Sequence, residues 1–120
     1  MQILVVEDHE DTRQVLERLC SRSGFNVLSA ATLQEGLHFM ETTPFDAIIS
    51  DIALPDGTGY ELMSEARRRG IRALGIALSA YNYPRDVEEA KVTGFDHHLQ
   101  KPFDCAQLRS LLEQRNSSGY

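Results

Sequence analysis

The sequence predicts an α/β fold in which a parallel sheet carries helices on both faces. Short apolar runs alternate five times with segments of helical periodicity, and the connections between them are short. The apolar runs are continuous rather than alternating, which is typical of parallel strands buried on both faces. Right-handed crossovers then allow only a few doubly wound strand orders.

Apolar runs predict five strands, at residues 2–6, 25–29, 47–50, 73–78 and 96–99. Helical patterns predict five helices, at residues 10–23, 32–42, 59–69, 84–93 and from 104 onward. A loop is expected over residues 51–57. Two helices carry apolar stripes, made of Val15, Leu16, Leu19 and Cys20 on the first and Leu108, Leu111 and Leu112 on the last.

Capping residues mark where the predicted helices begin and end. Thr32 and Glu35 form a capping box, and Asp104 is placed to cap the last helix. Pro84 suits a first helical turn. Glycines follow three of the predicted helices, at positions 24, 70 and 94, where a C-terminal cap belongs.

Composition limits the classes of protein that the chain can be. Its 120 residues fit one domain, predicted at residues 1–115, with a polar tail at 116–120. A net charge of −6 argues against direct nucleic-acid binding, and the basic run 67–69 is expected to solvate a helix end. No apolar run suits a membrane span or signal peptide, so no membrane insertion is expected. Cys20 and Cys105 form no disulfide framework, which favours a cytoplasmic setting.

Polar residues stand where the predicted strands end, which is where ligands bind in such sheets. They are Glu7 and Asp8 after the first strand, Asp51 after the third, Ser79 after the fourth and Lys101 after the fifth. Helix capping explains Asp8 or Ser79 singly. It does not explain three carboxylates placed together, because like charges repel.

A divalent cation would offset that repulsion, and Mg²⁺ with its preference for oxygen ligands is the cofactor expected at Glu7 and Asp8. Asp51 is the candidate nucleophile toward a phosphoryl group, because it ends a central strand. Lys101 would neutralise charge on the phosphoryl oxygens and Ser79 would donate a hydrogen bond to them.

These motifs together resemble the receiver domain of response regulators in two-component phosphorelays. The resemblance covers about residues 2–113 and is carried by Leu-Val-Val-Glu-Asp at 4–8, Asp-Ile-Ala-Leu-Pro-Asp-Gly-Thr-Gly at 51–59, Ser-Ala at 79–80 and Lys-Pro-Phe at 101–103. It implies a flavodoxin-like (βα)5 fold with strand order 2-1-3-4-5.

The resemblance also implies partners and roles. Asp51 would accept a phosphoryl group from a phosphohistidine on a histidine kinase or histidine phosphotransfer domain. Mg²⁺ would be held by Asp8, Asp51 and the backbone carbonyl of Ala53, with Glu7 partly through water. Such a domain is a relay component rather than a turnover enzyme. Its output face would be the fourth helix, fifth strand and fifth helix, here with Val87, Ala90, Lys91, His97 and Gln107.

The sequence departs from the family at its switch position. His98, three residues before Lys101, stands where an aromatic switch is usual. An imidazole is smaller and polar, and it ordinarily titrates near neutrality. His97 and His98 are expected on opposite faces of their strand. Tyr81 is expected to lie over the edge of the site and to limit water access. His9 is expected to be solvated, since Mg²⁺ prefers oxygen.

Several alternatives stay open or are disfavoured by single residues. The stretch 94–102 is similar to receivers of hybrid sensor histidine kinases, whereas a stand-alone single-domain regulator fits the same facts. A receiver-like interaction module that is never phosphorylated commonly lacks the acceptor Asp or the Lys, and both are present. A haloacid-dehalogenase-like hydrolase needs an Asp where Ala53 stands. A flavodoxin needs a hydroxyl- and glycine-rich phosphate loop where residues 7–11 are mostly acidic.

Overall fold

Five parallel strands form one sheet in the computed structural model, which describes residues 1–80 and 84–117. The strands are β1 (Gln2–Val6), β2 (Asn26–Ala30), β3 (Ala47–Asp51), β6 (Leu74–Ser79) and β7 (His97–Gln100). Between β3 and the next helix, β4 (Ala53–Leu54) and β5 (Gly57–Thr58) form a small antiparallel hairpin in the predicted loop. The sheet order is β2-β1-β3-β6-β7, which confirms the order 2-1-3-4-5 predicted for the parallel strands.

The described residues include five helices, of which four connect successive strands of the sheet and the fifth follows β7. Their bounds lie within two residues of those predicted where both ends were given. The helices are α1 (Glu10–Arg22), α2 (Leu33–Thr42), α3 (Gly59–Arg68), α4 (Pro84–Val92) and α5 (Cys105–Ser117). Thr32 caps α2 by accepting a hydrogen bond from the Glu35 amide at 3.1 Å, as the capping box predicts. The last helix continues to Ser117, two residues into the predicted tail.

The core lies in two layers, one on each face of the sheet, because alternate residues of the same buried strands point to opposite faces. One layer packs β-strand residues against α2, α3 and α4, and the other packs them against α1 and α5. Leu16 and Cys20 of α1 belong to the second layer. Val15 does not, because its position on the helix leaves the side chain 42% exposed, and its predicted place in the stripe is wrong.

The basic run at the end of α3 does more than solvate the helix. The Arg67 guanidinium donates to the Gly94 carbonyl oxygen at 2.8 and 3.0 Å and to the Ile71 carbonyl oxygen at 2.8 Å. Hydrogen bonds from Arg68 and Arg69 lower the pKa of Glu65 to about 2. Arg67 therefore ties α3 to the turns before β6 and β7, a role that a charge run in the sequence did not indicate.

The two thiols are expected to differ sharply in reactivity. Burial raises the pKa of Cys20 to about 11, whereas Cys105 is exposed. Because the thiolate is the reactive form, a disulfide reagent at about pH 8 should titrate one thiol quickly in the folded protein and two after denaturation. Cys105→Ser should remove the fast phase; a fast phase that survives this substitution would contradict the assignment.

Among the helices of the described residues, none combines the length and apolarity that a membrane span requires.

Candidate functional site

Four strand ends bring the predicted site residues together at the carboxyl edge of the sheet. Asp51 ends β3 and Ser79 ends β6, while Glu7 and Lys101 directly follow β1 and β7. The register aligns these ends, because Val6 pairs with Ser50, Asp51 with Leu78, and Ser79 with Gln100. The predicted convergence follows from this parallel topology.

Lys101 bridges two buried carboxylates at the centre of the site. Its Nζ donates to Glu7 Oε1 at 2.6 Å and to Asp51 Oδ2 at 2.8 Å. Glu7 is fully buried and Asp51 is 5% exposed, so little water screens the two negative charges. The positive charge of Lys101 thus offsets the cost of burying these two carboxylates.

Burial and charge shift the pKa values of Glu7 and Lys101. Burial raises the pKa of Glu7, and the nearby Asp51 charge adds to that effect, although the hydrogen bond from Lys101 opposes it. Burial alone would lower the pKa of Lys101. Its hydrogen bonds to Asp51 and Glu7 outweigh this and raise the pKa, which keeps the amine charged.

Asp8 supplies a further carboxylate oxygen at the site. Its Oδ1 is buried yet accepts no hydrogen bond from any residue that the structure describes. A buried carboxylate oxygen without a donor is costly, and a hard cation would satisfy it. Glu7, Asp8, His9 and Asp51 each offer one ligand atom, and these four atoms lie within 4.8 Å of one another. The donor set therefore fits a divalent cation.

His9 stands closer to this cluster than its predicted solvated role requires. The side chain is 69% exposed, but Nδ1 lies 3.3 Å from Glu7 Oε2 and 3.4 Å from Asp8 Oδ1. The sequence signal for this closeness is the position of His9 next to the acidic pair. The preference of Mg²⁺ for oxygen ligands argued against a metal-binding role for the imidazole.

Backbone contacts hold the segment that carries Asp51. The Ala53 amide donates to Asp51 Oδ1 at 3.2 Å, and the Ile52 amide donates to the Leu78 carbonyl oxygen at 3.0 Å. The amide of Gly59 donates to the Ile52 carbonyl oxygen at 2.8 Å, so the start of α3 packs directly behind the acidic residue. The exposed Ala53 thus lies beside the Asp51 carboxylate.

Arg13 holds the acidic loop from α1, a contact that no sequence pattern predicts. Its Nη1 donates to the Glu7 carbonyl oxygen at 3.0 Å, and its Nε lies 3.9 Å from Glu17 Oε1. Glu17 in turn accepts a hydrogen bond from the Ser29 hydroxyl at 2.6 Å. The chain of contacts links the loop after β1 to α1 and β2.

Comparison with known proteins shows the family of the chain. The family model of the response regulator receiver domain matches residues 3–113. The chain belongs to the response regulator receiver domain family. Receiver domains act in two-component signal transduction with histidine kinases or phosphotransfer proteins.

Curated relatives of this receiver differ greatly in length. It is 35% identical over 116 residues to an uncharacterized 14.6 kDa protein of Leptolyngbya boryana, covering 95% of this chain and 88% of that one. It is 36% identical over 110 residues to the KDP operon transcriptional regulatory protein KdpE of Escherichia coli, covering 92% and 48%. Identity to the sensory/regulatory protein RpfC of Xanthomonas campestris is 31% over 116 residues, covering 93% and 16%.

Solved structures show the same fold. The receiver domain of Francisella response regulator 1452 superposes with a TM-score of 0.92 at 24% identity, covering 99% of this chain and 98% of that one. The chemotaxis response regulator CheY4 of Vibrio cholerae superposes with a TM-score of 0.88 at 28% identity, covering 95% and 97%.

His98, at the predicted switch position, lies in a protected place. His98 pairs with Ala77 of β6, and both of its ring nitrogens are buried. His97 pairs with Ile76. Ala77 belongs to the core layer against α2, α3 and α4, whereas Ile76 belongs to the layer against α1 and α5, so the two histidines lie on opposite faces of the sheet as predicted. Tyr81 lies outside the described residues.

The predicted output face needs one correction. Ala90 is 1% exposed and packs in the core, because the turn of α4 that carries it faces the sheet. Lys91 and Gln107 are exposed, His97 is half-buried, and the side chain of Val87 lies outside the described part of the chain. Val92 is 77% exposed and is the apolar residue that α4 presents to solvent at this end.

Proposed function

We propose that this receiver accepts a phosphoryl group from a phosphohistidine onto Asp51 with the help of Mg²⁺. The observation that carries the proposal is Lys101, whose Nζ lies 2.8 Å from Asp51 Oδ2 beside the buried oxygen of Asp8. A carboxylate, a fixed cation and a further oxygen ligand are the parts that phosphoryl transfer to an aspartate requires.

The transfer forms one bond and breaks one. A carboxylate oxygen of Asp51 bonds to phosphorus while the P–N bond of the phosphohistidine breaks, and its electron pair stays on the imidazole nitrogen. Lys101 lies where it can stabilise negative charge on the transferred group, and the Ser79 hydroxyl is the proposed donor to another phosphoryl oxygen. Glu7 and Asp51 are buried, so water screens their electrostatic contacts with Lys101 only weakly.

Asp8, Asp51, Glu7 and the carbonyl oxygen of Ala53 are the residues that would hold Mg²⁺. When bound, the ion supplies charge neutralisation for the phosphoryl oxygens. On this proposal the isolated domain is a phosphoacceptor with limited self-catalysis, not a turnover enzyme, and it works in the cytoplasm. His98 is the proposed readout residue of the switch.

Intact-mass spectrometry after incubation with acetyl phosphate tests the proposal. We expect a single phosphoryl adduct on the wild type that needs Mg²⁺ and is absent from Asp51→Asn. Asp56→Asn is a matched control, because Asp56 is exposed and its carboxylate accepts hydrogen bonds from the amides of Leu33 and Gln34 instead. An adduct that persists in Asp51→Asn would contradict the assignment.

Absence of an adduct would favour the alternative that the domain is an interaction module that is never phosphorylated. A beryllofluoride titration then separates the cases, since a complex that forms with Mg²⁺ means only that acetyl phosphate cannot reach Asp51. Failure to bind beryllofluoride as well would overturn the phosphoacceptor proposal.

For the parent protein we propose a hybrid sensor histidine kinase, supported by the stretch 94–102 and by the similarity to the sensory/regulatory protein RpfC. The stand-alone regulator is the second candidate, because the chain spans 88% of the Leptolyngbya relative. Kinetic competition among candidate kinases separates the hybrid-kinase parent from the stand-alone regulator, since the cognate donor transfers the phosphoryl group fastest.

A further inference from the structure

We propose that His9 is a nitrogen ligand of the metal site and gives this receiver an enhanced preference for Ni²⁺-like ions over Mg²⁺. The inference rests on the proposed function, because it concerns the same site. It assigns to His9 a role in selecting the metal.

The distances suit ligands of one ion. In an octahedral complex with metal–ligand bonds of about 2.1 Å, neighbouring ligand atoms lie about 3.0 Å apart and opposite ones about 4.2 Å. His9 Nδ1 lies 3.4 Å from Asp8 Oδ1 and 3.3 Å from Glu7 Oε2. All four candidate ligand atoms, including that of Asp51, lie within 4.8 Å. Small side-chain adjustments bring them to one ion.

The local backbone explains why the imidazole faces the acids. His9 is the N-cap residue of α1, but its side chain makes no capping hydrogen bond to the helix. Its amide instead donates to Glu7 Oε2 at 3.2 Å, which fixes the residue beside the carboxylates. The imidazole is 69% exposed, so an ion reaches it from solvent.

The position of Asp8 Oδ1 beside the imidazole also points to an ion here. Oδ1 of Asp8 is buried and accepts no hydrogen bond from the described residues, and His9 Nδ1 is near it. An oxygen ligand alone suits Mg²⁺, whereas an added imidazole suits ions such as Ni²⁺ and Zn²⁺. The Asp8–His9 pair therefore sets the selectivity of the site.

Isothermal titration with Mg²⁺ and with Ni²⁺ at about pH 8 tests the inference, because a metal binds only neutral imidazole. We expect His9→Ala to lower the ratio of the Mg²⁺ to the Ni²⁺ dissociation constant by about tenfold or more. His9→Gln, which keeps a polar side chain, should lower it as well. His38→Ala is the matched control, since His38 is 70% exposed on α2 and should leave the ratio unchanged.

A ratio that is the same in wild type, His9→Ala and His9→Gln would overturn the inference and leave Nδ1 as a hydrogen-bond donor to Glu7. So would a fall in the ratio that His38→Ala reproduces. Loss of Ni²⁺ binding in Asp8→Asn would place the ion at this site, and its persistence there would overturn the assignment. The proposed function fails separately, if wild-type protein forms no Mg²⁺-dependent adduct at Asp51.

Discussion

Replacing Lys101 with methionine is expected to lower the free energy of unfolding by about 3 kcal/mol at pH 7.5, the lower part of the range for breaking a buried ion pair. The substitution keeps much of the side-chain volume but removes the donor that lies 2.6 Å from Glu7 and 2.8 Å from Asp51. Two buried carboxylates then face each other without a cation. The lower part of the range applies because the Lys101 side chain is 20% exposed.

The loss is expected to depend on pH in a definite direction. Burial and the Asp51 charge already raise the pKa of Glu7. The Lys101 variant lacks the hydrogen bond that opposes this rise. A group whose pKa is higher in the folded than in the unfolded state destabilises the fold increasingly as pH rises through that interval. The difference between variant and wild type should therefore be small near pH 4.5 and grow toward neutrality.

Urea unfolding at about pH 5 and pH 7.5, with and without Mg²⁺, measures this effect. Lys91→Met is the control, because Lys91 is the chain's other lysine and lies exposed on α4. Mg²⁺ should restore part of the stability of the Lys101 variant. The phosphoryl adduct should be lost or greatly slowed even then, since the fixed cation is missing. Equal losses in the two lysine variants would contradict the bridging role.

The arrangement of the site was predictable because it depends on topology more than on side-chain packing. Parallel strands end at one edge, so polar residues that follow continuous apolar runs must meet there. Glu7, Asp51 and Lys101 could therefore be placed together without knowing any distance. Their roles in phosphoryl transfer remain predictions.

What the sequence did not predict depends on where individual side chains turn. Helical spacing cannot tell that Val15 faces solvent while Ala90 faces the sheet, because a stripe boundary shifts with the helix's rotation. A run of arginines does not reveal that Arg67 reaches backbone carbonyls of two other segments. The hydrogen bond from Arg13 to the Glu7 carbonyl oxygen is local in sequence, but it depends on how the loop after β1 turns back toward α1, which no sequence pattern specifies.

The close approach of α3 to the acceptor strand leads to the second large prediction. Gly59 begins α3, and a Cβ added there would overlap the backbone carbonyl oxygen of Asp51 and lie 3.0 Å from Ser50 Oγ. Backbone cannot move aside as a side-chain tip can. Gly59→Ala is therefore expected to lower the free energy of unfolding by about 3 kcal/mol or more, and to slow adduct formation by displacing Asp51.

Gly57→Ala is the matched control, two residues earlier in the same segment. A Cβ at Gly57 would meet Leu33 Cδ2 at 2.5 Å and Glu61 Oε1 at 3.1 Å, which are ends of flexible side chains. We expect a loss of about 1 kcal/mol or less, since these side chains can rotate away. Urea unfolding and intact mass measure both variants. If Gly59→Ala were as mild as Gly57→Ala in both assays, the position of Asp51 would not depend on the contact of its backbone with α3.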